Sequence, residues 1–387
     1  MRPTSRGILF LVTEDWYFCL HRLPIARAAR DAGFRIMVAT QVRDHGEVLE
    51  REGFQVIPMC WTRGSLNPLH TLAELRQIIG IYRKHRPDLV HHVAVRPSIY
   101  GSIAAALTGV SPVVNNLAGL GLAFSSGGAY ARLVRAVVTT AFRLLFGRPG
   151  NCTLVENSDD RAFLITKAGL DADSVILIRG VGVDIRRFAP TPEHLEGVPV
   201  VTFVSRMLWP KGVGELVEAA HILCERGVVV KVRLVGMPDT TSRVSVQEQQ
   251  LAQWNSEGVI EWLGYRDDIP ELWRASNIAV LPSYYREGVP RSLLEAAACG
   301  RAIVTTDMPG CREIVQHGIN GLLVPPRDSQ AIADAIQQLV EDPATRQHMG
   351  AAGRVLVEEG FSEEYTVEQT LAVYRRLVED RAANAST

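Results

Sequence analysis

The sequence offers no paired cysteines, no metal-ligand spacing, no complete dinucleotide fingerprint and no unbroken membrane-length apolar run. Its six cysteines, Cys19, Cys60, Cys152, Cys224, Cys299 and Cys311, are scattered without a CxxC, mostly in apolar contexts. They read as reduced, buried thiols, which excludes a disulfide scaffold. Gly119-Leu120-Gly121 follows an expected strand, but position 124 is Phe, and no Asp or Glu occurs between Asp88 and Glu156 to hold a ribose. That disfavours a dinucleotide enzyme. Pro97 to Ala131 carries no charge, a stretch long enough to raise the question of a membrane span. Pro112, Asn115, Asn116 and several glycines break it. The N-terminus, MRPTSRGILFLV, runs into a strand without a cleavage site, so no signal peptide is expected.

What is present is a globular composition, 47% apolar and 21% charged. At 387 residues the chain exceeds one ordinary core, which implies two domains. The net charge of −1 hides an asymmetry. Residues 1–187 hold 23 Lys+Arg against 15 Asp+Glu, a balance of +8, leaving 18 against 27, or −9, for the remainder. A basic half points to an anionic partner.

Apolar runs and helical patterns alternate along the chain. Strands are expected at 7–12, 34–40, 54–59, 88–95, 112–117, 152–157 and 174–180, with Thr13 to Leu20 as a loop and helices between the rest. The Pro-containing stretch GVDIRRFAPTPEHLEGVP (182–199) interrupts the pattern. Alternation restarts with strands at 200–205, 228–236, 259–264, 278–281 and 302–307. Strands spaced by helices give parallel, doubly wound sheets. The expected organisation is an α/β chain of two Rossmann-like domains facing across a cleft. Residues 1–184 form the first domain, 185–199 the linker and 200–362 the second. A helix over 363–380 packs back across the seam, and 381–387 is a flexible tail. Ligands in such sheets bind at strand C-terminal ends.

The stretch SYYREGVPRSLLEAAACG, Ser283 to Gly300, organises the second half. A buried strand closes at Pro282, a short polar loop follows, and a helix starts near Pro290. Glu287 sits in the loop and Glu295 in the second helical turn, leaning back toward it. Amides of Val289, Arg291 and Ser292, at the positive end of the helix dipole, suit an anion between the two carboxylates. Sugar hydroxyls at both ends of a ligand with phosphate between would match. Arg206 and Lys211 follow the strand at 200–205, a guanidinium fork and an ammonium just past a strand end. An R-x4-K pair alone is a weak signal; its place at the head of the second sheet strengthens it.

SRMLWPKG with EGVPRSLLE resembles the retaining, nucleotide-sugar-dependent glycosyltransferases of the two-Rossmann GT-B architecture, in the large family numbered four. The likeness covers nearly the whole chain. It implies that Arg206 and Lys211 hold the diphosphate of a UDP-sugar, Glu287 contacts the donor sugar, and Glu295 holds the ribose. Backbone at Gly288, Val289 and Pro290 would touch sugar and phosphate, and Gly264, Tyr265 and Arg266 would meet the base. The reaction implied is front-face attack without metal or other cofactor, Arg206, Lys211 and Glu287 carrying catalysis. The DxD string Asp171-Ala172-Asp173 lies in a helix-to-strand turn remote from these motifs and reads as a turn.

The first half departs from the familiar pattern, with TEDWYFCL where many relatives carry a glycine-rich loop and Ala118 near the place of a histidine. His91, His92, Arg96 and Asn116 stand as acceptor-side candidates, against a purely structural reading of the histidines. WTRGSLNPLHTL (61–72) and NNLAGLGLAF (115–124) are similar to N-acetylgalactosaminyltransferases that extend sugar–diphospho-polyprenol carriers in bacterial glycan assembly. Arg132, Arg135, Thr139 and Arg143 fall within about 80° of a helix at about 100° per residue. Such a stripe suits an anionic membrane, or is one wet edge of a core helix. The partners implied are a nucleotide-sugar donor, a lipid-linked saccharide and the cytoplasmic face of a membrane, with no nucleic acid. Alternatives on the same architecture are a sugar-nucleotide epimerase, active without acceptor, and a phosphorylase, dependent on free phosphate. A non-catalytic nucleotide-sugar-binding scaffold is the third, and intact Arg206, Lys211, Glu287 and Glu295 argue against it.

Overall fold

Apolar runs become strands in both halves of the chain, and the alternation of their side chains divides the core into layers. The computed structural model describes residues 6–61, 67–121, 124, 128–193 and 196–384. It separates into two units, Met1–Val181 with Glu364–Thr387, and Gly182–Glu363.

The first unit contains β1 (Gly7–Glu14), α1 (Asp15–His21), α2 (Leu23–Asp31), β2 (Arg35–Gln41), α3 (Gly46–Arg51), β3 (Gln55–Pro58) and α4 (Pro68–His85). β4 (Leu89–Val93), α5 (Val95–Thr108), β5 (Val113–Leu117), α6 (Ala129–Phe146), β6 (Asn151–Val155), α7 (Ser158–Thr166) and β7 (Val175–Leu177) complete it. The strands form one parallel sheet in the order β3-β2-β1-β4-β5-β6-β7. The order reverses between β1 and β4, the position where doubly wound sheets open a ligand crevice. Ile8, Phe10 and Val12 of β1 pack on one face, while Leu9 and Leu11 pack on the other against α4 and α5. Both faces are covered, so the strands read as continuous apolar runs.

The second unit contains β8 (Val200–Val204), α8 (Val213–Glu225), β9 (Lys231–Val235), α9 (Glu248–Ser256), β10 (Glu261–Trp262), α10 (Ile269–Arg274) and β11 (Ile278–Leu281). Then follow α11 (Arg291–Ala298), β12 (Ala302–Thr306), α12 (Cys311–Ile314), β13 (Gly321–Val324), α13 (Ser329–Glu341) and α14 (Pro343–Gly360). This sheet is also parallel, in the order β10-β9-β8-β11-β12-β13, with its switch point between β8 and β11.

Three expectations change. Thr13 to Leu20 is not a loop: β1 runs to Glu14 and α1 starts at once, its fully buried Asp15 accepting the amides of Trp16, Arg43 and His45. The stretch expected as a linker, 185–199, falls within the second unit. Phe188 lies in the second core, and Glu193 binds Arg346 Nε at 2.6 Å with both side chains buried. The last helix, α15 (Glu363–Asn384), continues past 380 and packs Leu371, Tyr374, Leu377 and Val378 into the first unit's core. As expected, Asp171 caps a turn, its Oδ1 accepting the Asp173 amide at 3.0 Å. No helix among the described residues is long and apolar enough to cross a membrane.

Candidate functional site

In the second unit the loops after β8 and β11 meet because those strands are neighbours at the switch point. The loop after β8 tightens into a 3-10 turn over Trp209–Lys211 and enters α8 through Gly212. Gly212 has φ of +80°, and a Cβ there would lie 2.1 Å from the Pro282 carbonyl oxygen. Only glycine lets the two loops approach this closely. The Tyr284 amide donates to the Pro210 carbonyl at 3.0 Å, fastening them.

That contact places Lys211 against Glu287. The ammonium donates to Glu287 Oε1, which also accepts from Ser283 Oγ at 2.9 Å. Both charged side chains are largely buried, at 15% and 11% exposure, with the Lys211 Nζ 5.7 Å from the Tyr285 ring centroid. Lys211 has three N–H donors, so the pair leaves it able to meet a further anion. Gly288 is held from below: a Cβ on Gly310 would sit 1.8 Å from the Gly288 oxygen. Val289 is half-buried, and Pro290 forms the N-cap of α11, which begins without a side-chain cap.

Glu295 is buried one turn into α11 and accepts from Arg291 Nε at 2.8 Å. Burial pushes its carboxyl above the usual range, and Arg291 pulls in the opposite direction. Arg206 donates from Nη1 to Asp239 Oδ2 at 2.8 Å, with about half its side chain exposed. Gly264 accepts the Gly236 amide at 2.7 Å, Tyr265 is exposed, and Arg266 is engaged with Asp268 in its own loop. The sequence reading missed Ser283, Arg291 and Asp239. Asp239 meets Arg206 across loops 33 positions apart, whereas Ser283 and Arg291 each lie four positions from the glutamate they serve, a helical spacing for Arg291 and Glu295 but a loop-dependent one for Ser283.

The first unit's switch point holds different chemistry. His91 and His92 lie inside β4, opposite Phe10 and Leu11, and both are essentially inaccessible. His92 Nε2 meets Tyr82 Oη at 2.7 Å and its Nδ1 meets Asn115 Oδ1 at 2.8 Å. Burial lowers its pKa to about 4. A Cβ on Gly101 would fall 2.4 Å from its Nε2, so His92 does not reach solvent at the strand ends; it is a core histidine. His91 bonds Tyr374 through Nδ1 and stacks on Phe10, and burial holds its pKa well below the normal value. His91 lines a small pocket together with Arg22 and Asn116. There Arg22 donates to Asn116 and, at 3.1 Å, to Glu156. Arg96 pairs with buried Glu74 at 2.6 Å, over the rings of Trp61 and Tyr100.

On α6, Leu133, Val137 and Leu144 are 61–68% exposed and line up on one face. Arg132 and Arg143 are exposed on its flank, whereas Arg135 and Thr139 are half-buried. The outward centre of this helix is therefore apolar, with the basic stripe at its border. Parts of the two stretches at 61–72 and 115–124 lie outside the described residues.

The model of the family "Glycosyl transferases group 1" matches residues 184–356, and that of "Glycosyl transferase 4-like" matches 7–146. Over 373 residues the chain is 28% identical to a Campylobacter jejuni N,N'-diacetylbacillosaminyl-diphospho-undecaprenol alpha-1,3-N-acetylgalactosaminyltransferase, covering 93% of this chain and 96% of that one. It is 26% identical to an Escherichia coli UDP-Gal:alpha-D-GlcNAc-diphosphoundecaprenol alpha-1,3-galactosyltransferase, over 70% of this chain and 72% of the other. Among solved structures, Anabaena HepE in complex with UDP and glucose superposes with a TM-score of 0.77 at 23% identity, covering 95% of this chain and 99% of HepE. Sucrose-phosphate synthase from Thermosynechococcus elongatus reaches a TM-score of 0.80 at 21% identity, over 97% and 100% of the two chains. These neighbours share the fold.

Proposed function

Since the chain belongs to the glycosyl transferases group 1 and has their two-Rossmann architecture, we propose that it moves a hexose or N-acetylhexosamine from a UDP-sugar to a polyprenyl-diphosphate-linked saccharide, with retention and without metal. The Lys211–Glu287 pair at the second unit's switch point carries this reading. A largely buried cation beside a carboxylate suits a ligand with diphosphate on one side and sugar hydroxyls on the other. Lys211, Arg206 and the first amides of α11 would take up charge as the C–O bond to the diphosphate breaks. The acceptor hydroxyl attacks the anomeric carbon from the face the diphosphate leaves, and its proton passes to the departing phosphate oxygen. Glu287 would orient the sugar, Glu295 the ribose hydroxyls, and the Gly264–Arg266 backbone the base. Electrostatic groups of this kind contribute roughly 10²–10³ each in rate.

The acceptor class rests on what the Campylobacter and Escherichia relatives are named for. The exposed Leu133, Val137 and Leu144 with Arg132 and Arg143 suit partial burial in an anionic lipid surface, which would hold the enzyme at the inner face of the cytoplasmic membrane.

The test is a panel of UDP- and GDP-sugars with an undecaprenyl-diphosphate-linked saccharide, run in excess EDTA, with product configuration read by NMR. An α-linked product and released UDP in EDTA support the proposal. Turnover restored only by magnesium or manganese, an inverted product, or UDP-sugar consumed without acceptor would each contradict it.

A further inference from the structure

The Arg206–Asp239 contact is unequal. Arg206 is about half exposed, while the Asp239 side chain is only 11% exposed, and the carboxylate is fixed independently of the arginine. Its Oδ1 accepts both the amide and the hydroxyl of Thr241, at 3.1 and 2.7 Å, and its own amide donates to Ser245 Oγ at 2.9 Å. The loop carrying it is sewn to the loop carrying Arg206. The Met207 amide donates to Met237, the Val246 amide to Met207 and the Trp209 amide to Val244, at 2.9–3.0 Å. At the base, a Cβ on Gly236 would stand 1.9 Å from the Ser205 oxygen. Asp239 is thus a fixed post and Arg206 the movable arm.

We infer that Asp239 is a positioning residue for the donor diphosphate: it tethers the Arg206 guanidinium by one N–H and leaves the other donors to phosphate oxygens. This rests on the reading of Arg206 as a diphosphate ligand. A guanidinium has five N–H groups in a planar fork, so a single tether at Nη1 leaves the opposite edge able to engage a phosphate. A long side chain loses rotamer freedom when it closes on a ligand. The tether removes part of that loss beforehand. An ion pair whose cation is half exposed adds little to folding, so its effect belongs in binding.

The test measures UDP and uridine affinity by calorimetry for the wild type, Asp239→Ala, Asp239→Asn, Arg206→Ala and the Arg206→Ala/Asp239→Ala double variant, with thermal midpoints alongside. Asp239→Ala should weaken UDP binding roughly three- to tenfold and leave uridine binding unchanged, with any lowering of the midpoint from the lost Thr241 contacts absent in Asp239→Asn. Asp239→Asn keeps one oxygen for Thr241 but turns an NH2 toward Arg206, so it should lose UDP affinity as Asp239→Ala does while holding the loop, and Asp239→Ala should add nothing once Arg206 is alanine. Unchanged or tighter UDP binding by Asp239→Ala would overturn the inference, because the carboxylate would then be competing with phosphate. An equal loss for uridine, or a loss that persists in the Arg206→Ala background, would also overturn it, as a defect of the loop. If Arg206→Ala itself bound UDP normally, the donor-site reading would fail too; if only Asp239→Ala did, that reading would stand.

Discussion

In the first unit the polar side chains in and beside β4 are spent on one another. His92 is shared between Tyr82 and Asn115, His91 is bound to Tyr374 of the returning helix, and Arg22 is held by Asn116 and Glu156. In the second unit the equivalent strands, β8 and β11, end in loops that press together at Gly212 and hold a largely buried ion pair. Two parallel sheets of matching order thus place neutral, packed imidazoles at one crevice and poised charge at the other. Topology supplies the crevice; the loop residues decide what it can do.

The largest effect that would sharpen this contrast is on transfer. Lys211→Ala or Glu287→Gln should reduce the rate at least about a hundredfold. Glu287→Gln retains an acceptor for Lys211 and Ser283, so its thermal midpoint should stay near wild type. A rate within twofold of wild type in both variants would remove the second crevice from the chemistry. Next comes stability: Gly212→Ala forces a Cβ into the Pro282 carbonyl at positive φ, with an expected cost of at least about 2 kcal/mol in denaturant unfolding. A cost below the error of the measurement would show that the loops are not tightly apposed.

The histidines give a third, smaller effect. The folded pKa of His92, about 4, lies below the normal 6.5, so between those values the unfolded chain binds the extra proton. Stability is therefore lost as pH falls through 6.5 toward 4, by on the order of 1–2 kcal/mol between pH 6.5 and 5. His92→Gln should flatten that slope; an unaltered slope would mean the imidazole is accessible and charged. Last, Arg132→Gln with Arg143→Gln should weaken sedimentation with anionic liposomes, each arginine contributing about 1 kcal/mol. Unchanged partitioning would remove the membrane role of α6.

Much of this was legible in the residues. Apolar runs located the strands through Thr306. Lys211 and Glu287, apart by 76 positions, were paired through the order of motifs along the second sheet. Contacts that depend on loop shape were not readable. DWYFCLH looks like a loop until Asp15 is seen clasping three amides, and nothing near Tyr374 announces His91 as its partner. The face of α6 was misjudged because arginine spacing gives an angle, whereas packing of Phe142 and Phe146 decides which side turns outward.

The most direct measurement is calorimetric titration of UDP into the wild type and Lys211→Ala, both in excess EDTA. The account predicts binding to the wild type in EDTA and a loss of at least about tenfold in affinity for the variant. Equal affinities, or wild-type binding that appears only after a divalent cation is added, would contradict it.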